Sequence, residues 1–143
     1  MRLLLLVLPA LLMSILQAEC AVAASCPNLN AHPGITTVIV QSDLGAKDQA
    51  SKAYVASLQD AITKSRSFCR VDDVRAASYA IDVAGVDLDE EHERAALSVA
   101  LVSEKGSLMS HWVRLSSIEN VEKNGQDDLT KVDRAILHAK RTK

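Results

Sequence analysis

From Ile35 to Gln41 the chain is β-branched at every position but the last, with Thr36, Val38 and Val40 on one face and Thr37 and Ile39 on the other. A run apolar on both faces predicts a strand buried on both sides. Ser42-Asp43 can cap a helix reaching to about Arg66. Ala50, Tyr54, Leu58, Ala61, Ile62 and Ser65 recur there at three- and four-residue spacings, while Lys47, Lys52, Gln59, Asp60 and Lys64 fall mostly off the stripe. Phe68-Cys69-Arg70-Val71 reads as a short strand, and Asp72 to Ser78 as a turn or one helical turn.

The pattern then changes to strict alternation. Tyr79, Ile81 and Val83 share one face, and beyond Gly85 the apolar phase shifts to Val86 and Leu88, which suggests a bulge. After the charged connector Asp89 to Glu93, Ala95, Leu97, Val99 and Leu101 alternate with Ala96, Ser98, Ala100 and Val102. Glu104-Lys105-Gly106 suits a hairpin turn, and Leu108 to Ser117 reads as the returning strand. In that strand Met109, His111, Val113 and Leu115 read as the core face, leaving Trp112 and Arg114 outward. Glu119 to Gln126, with Asn124-Gly125, reads as loop, and Asp127 or Asp128 as the cap of a last helix striped by Leu129, Val132, Ile136 and Ala139.

The element order is β-α-β-β-β-β-α. A strand–helix–strand step makes its two strands parallel, and the last three strands form an antiparallel meander. The expected fold class is therefore α+β, one mixed sheet with two helices packed on one face.

Composition adds a leader. Arg2 precedes a run from Leu3 to Leu16 broken only by Pro9 and Ser14, and Ala21-Val22-Ala23-Ala24 offers cleavage after Ala23 or Ala24. The run is shorter than the roughly 20 residues of a membrane span, so residues 1–24 read as a cleaved signal peptide, residues 25–34 as an irregular arm, and residues 35–143 as one domain. Glu19 and Gln17 before Cys20 do not fit a lipidation signal. The expected location is the periplasm or outside the cell, with no integral membrane segment after cleavage. In that oxidising setting the two remaining cysteines predict one disulfide, Cys26–Cys69. Closing such a loop stabilises by about 4 kcal/mol on a chain-entropy estimate.

Ala77-Ser78-Tyr79-Ala80-Ile81-Asp82-Val83-Ala84-Gly85, set after an exported strand–helix–strand unit and before a meander, resembles small α/β envelope domains. Examples are the N-terminal domain of the Tol–Pal translocation protein and the nucleotide-independent domain of the curli-secretion lipoprotein. The resemblance covers roughly Ile35 to Ile136 and implies a non-catalytic interaction module of the cell envelope.

Candidate chemistry is sparse. Asp87, Asp89, Glu90 and Glu91 could offer oxygens to a hard cation such as calcium, although their spacing is not that of an EF-hand. His32, His92, His111 and His138 are scattered, with no zinc-ligand spacing, so no cofactor or metal is expected. There is no Gly-x-Ser-x-Gly and no phosphate-binding glycine loop. Sixteen basic against 18 acidic residues and only four aromatics argue against nucleic-acid binding. Trp112 and Arg114, residue types enriched at binding hot spots, are candidate partner contacts together with Tyr79. The sequence thus points to a non-enzymatic module that binds another envelope or secreted protein, or a second copy of itself. A calcium or small-ligand protein using the Asp87–Glu93 loop and an inhibitor or immunity protein of a secreted enzyme are the alternatives.

Overall fold

The β-branched segment forms β1 (Thr36–Leu44) in the computed structural model, which describes residues 34–142. Then come α1 (Gln49–Lys64), β2 (Phe68–Arg70), β3 (Tyr79–Asp87), β4 (Arg94–Ser103), β5 (Leu108–Ser117) and α2 (Val121–Arg141). One-turn 3₁₀ helices at Val74–Ala76 and Ile118–Asn120 join β2 to β3 and β5 to α2. The five strands make one sheet in the order β2-β1-β3-β4-β5. Strand β1 is parallel to both β2 and β3, whereas β3, β4 and β5 are antiparallel. The fold is α+β, as the hydrophobic periodicity predicts.

Both helices lie on one face. Tyr54, Leu58 and Ile62, four residues apart along α1, are buried against Val38 of β1, Ile81 and Val83 of β3, and Leu97, Val99 and Leu101 of β4. Helix α2 adds Leu129, Val132 and Ile136 at helical spacing. Each such side chain contributes roughly 1.5–3 kcal/mol on full burial, so this layer dominates the stability of the fold.

Several boundaries differ from the sequence reading. Ser42 and Asp43 belong to β1, because parallel pairing with β3 continues to Leu44 opposite Gly85; Asp48 is the N-cap of α1 instead. Gly85 is no bulge, since the β3–β4 register runs unbroken from Tyr79 opposite Ser103 to Asp87 opposite Ala95. A side chain there would meet Leu97 Cδ2 at 2.7 Å and Ser51 Oγ at 3.0 Å, so glycine makes room for α1 and β4. The irregularity lies between β4 and β5, where the pairing slips at Leu101 and Val102. Helix α2 starts at Val121 and takes in Asn124-Gly125, because Gly125 allows close approach to α1: a Cβ would lie 2.6 Å from Ser57 Oγ and 3.0 Å from the Leu58 backbone nitrogen. Asp128 is accordingly inside the helix rather than its cap.

Candidate functional site

The slip at Met109 decides what β5 shows to each side. Trp112 stands opposite Val99, Arg114 opposite Leu97, and Ser116 opposite Ala95, all on the face under the helices. The expected orientation of this strand is therefore reversed. Val113 and Leu115 point away from the helices and are 70% and 73% exposed, while the Arg114 side chain is only 15% exposed. As outward contacts, Trp112 and Arg114 are corrected by this geometry, and so is Tyr79, which packs half-buried against the core from the inner face of β3.

The cause is an acid inside the helix layer. Asp128 of α2 is fully buried. Arg114 Nε and Nη2 donate to its two carboxylate oxygens at 2.5 Å each, and the Tyr54 hydroxyl donates to Oδ2 at 2.7 Å. Lys131 Nζ reaches Oδ1 at 3.0 Å and also lies 5.4 Å from the centroid of the Trp112 ring. Arg114 Nη1 donates to Asn124 Oδ1 at 2.8 Å, and Asn124 Nδ2 to Ser116 Oγ at 2.9 Å. Burial alone would raise the Asp128 carboxyl, but the hydrogen bonds from Arg114, Tyr54 and Lys131 outweigh it and hold the group below the usual carboxylate range. The Trp112 indole N–H lies near enough to act in the same direction without completing a well-formed hydrogen bond. Burial, then the hydrogen bond to Asp128, pushes the Tyr54 phenol well above its ordinary value. The bracket ties α1, α2 and β5 together. It uses up Arg114 in a fork-to-carboxylate pair.

The acidic connector is likewise committed to structure. Asp87 accepts from the Ala50 and Ser51 N–H groups at 3.1 and 3.0 Å and from the Ser51 hydroxyl at 3.0 Å. It caps α1 from a distant strand, in place of a local side-chain cap. Asp48 returns the contact by accepting from the Asp87 N–H at 3.2 Å. His92, in the left-handed region at φ 58°, places Nδ1 2.9 Å from Asp87 Oδ2. Desolvation would raise the Asp87 carboxyl, but the bonds from Ser51, Ala50 and His92 hold it low. Asp89 accepts from the Glu93 and Arg94 N–H groups and from Arg94 Nε. Glu90 and Glu91 are exposed. Among the described residues no three His, Cys, Asp or Glu side chains converge as metal ligands. The Asp87 and Asp89 carboxylates, read from the sequence as ion ligands, act as backbone caps.

The sheet face opposite the helices carries exposed side chains on β3 and β5. Val86, Ala96 and Leu115 form one cross-strand row on β3, β4 and β5; Ala84, Ser98 and Val113 form the next, and Asp82, Ala100 and His111 the third. Val86 is 57% exposed. The Ser98 hydroxyl and His111 Nε2 are 2.9 Å apart, a pair the sequence reading missed because they lie on different strands. Ser98 stands on β4 and His111 opposite Ala100 on the edge strand β5. Beside Leu88 and Leu115 an open depression of about 310 Å³ continues toward Arg94, Asn120 and Lys123. The expected Cys26–Cys69 bond has one end outside the described residues, as do the signal peptide, nearly all of the arm and His32. Cys69 itself is buried in β2.

No protein-family model matches the chain, and no curated protein matches it. The resemblance to the Tol–Pal and curli proteins therefore stays one of element order. Among solved structures the chain is similar to a dodecamer of a PelC point variant from Paraburkholderia phytofirmans, at 10% identity and TM-score 0.44, over 66% of this chain and 81% of that one. A superposition this loose carries no functional argument.

Proposed function

We propose that this protein is an exported, non-catalytic interaction module of the cell envelope that docks another protein on the open face of its sheet. One observation carries the reading: Val113, Leu115 and Val86 form an exposed apolar patch on the same face of the β3–β4–β5 meander. Scattered exposed aliphatics are normal, whereas a contiguous patch on one face marks an interaction surface. The buried bracket supports it, because Arg114 and Trp112 are spent on holding β5 in the register that turns Val113 and Leu115 outward. The leader-like residues 1–24 support export to the periplasm or beyond. Among the described residues no helix is long and apolar enough to cross a membrane.

The test is a charge placed on the patch. Val113→Glu should leave the fold intact, since the side chain is already in solvent, and should abolish recovery of the partner from cells by in-cell crosslinking to a tagged chain. Undiminished recovery of the same partner by the Val113→Glu protein would sink the proposal.

A further inference from the structure

The docking face has a relief that fits itself. Strand β5 carries the large side chains Val113 and Leu115, and β4 beside it offers only Ala96, Ser98 and Ala100 on this face. On β3 the same rows hold Val86, Ala84 and Asp82. A two-fold axis running along β4, in the plane between two facing sheets, would leave every row at its own level and set β5 of each copy over β3 of the other. Val113 then descends on Ala84, large onto small, and Leu115 meets Val86. In the third row His111 of one copy faces Asp82 of the other.

His111 uses Nε2 toward the Ser98 hydroxyl. The apolar rows themselves hold no charge, so self-pairing meets no like-charge repulsion there. The partly exposed Val86, Leu88, Leu108, Val113 and Leu115 together present roughly 400 Å² of apolar surface, within the range of a functional patch. Counted on both copies and with the small-residue floor added, this approaches the about 1,000 Å² at which a specific interface begins.

We infer that the occupant of the open sheet face is a second copy of this chain, packed face to face about a two-fold axis along β4. The inference rests on the docking reading above and names its partner. Sedimentation velocity on the full chain, purified as its host exports it, tests it across roughly 1–100 μM, where weak to moderate dimers dissociate. The expected result is a dimer at the upper end, converted to monomer by Val113→Glu and by Ala84→Leu, which fills the floor that Val113 needs. Circular dichroism should show both variants still folded. A wild-type chain that stays monomeric throughout overturns the second copy, and so does a dimer that survives both substitutions. Neither result touches the docking reading, which fails on its own if a photo-crosslinker at position 113 attaches to no protein in cells.

Discussion

Asp128 is the residue on which the arrangement turns. Removing one partner of a buried ion pair leaves the other desolvated and unpaired, so Asp128→Ala should destabilise the protein by about 3–5 kcal/mol, read from denaturant midpoints. Arg114→Met should cost less than Asp128→Ala, because Tyr54 and Lys131 still satisfy the carboxylate. Acid should act on the same group. The folded-state carboxyls of Asp128 and Asp87 lie below their ordinary values. Their contribution is fully present above the unfolded value of about 4 and is lost as pH falls through the folded values. Urea midpoints should thus fall steeply below about pH 4, and Asp128→Asn should flatten that fall. An equal slope in wild type and variant would show that the bracket is not the acid-sensitive element. The signal for Asp128 is present in the sequence: residues 124, 128, 132 and 136 are spaced by four, and the polar pair Asn124 and Asp128 extends the apolar stripe of α2. Spacing places both on the buried face but cannot name Arg114 and Tyr54 as their partners, which lie on other elements.

At the scale of elements, the strands and helices are legible because each buries one face, and a periodicity of two or 3.6 follows directly. Boundaries are not, wherever a distant contact overrides a local signal. Asn124-Gly125 has turn chemistry, yet both residues are helical because one meets Ser116 and Arg114 and the other lets α1 approach. Gly125→Ala should therefore lower stability by about 1–3 kcal/mol through overpacking against Ser57 and Leu58, although alanine is the better helix former. A stabilising effect in thermal melts would contradict that close approach. The orientation of β5 escapes the pattern for a related reason. Met109, Val113 and Leu115 look like a core face, and a one-residue slip near Met109 puts Trp112 and Arg114 there instead. Asp87 capping α1 from β3 is a further tertiary substitution for a local cap. Asp87→Ala should cost about 1–2 kcal/mol, as other lost caps do.

For the whole molecule, the fold has a helix-covered face that carries stability and an opposite face left open on β3, β4 and β5, the face proposed for docking. The Cys26–Cys69 pairing belongs at this scale, because it would tie the chain ahead of β1 to β2 at the edge of the sheet. Intact mass under non-reducing conditions should show two hydrogen atoms fewer than the reduced form, and two free thiols in the protein recovered from its host would exclude the bond. The central claim is that protein contacts are made by the face carrying Val113 and not by the side chains under the helices. In-cell photo-crosslinking from positions 113 and 112 in parallel tests it most directly, since the two neighbours point to opposite sides of one strand. A covalent protein adduct from position 113 and none from position 112 is the expected result. An adduct from position 112 with none from position 113 would contradict the account.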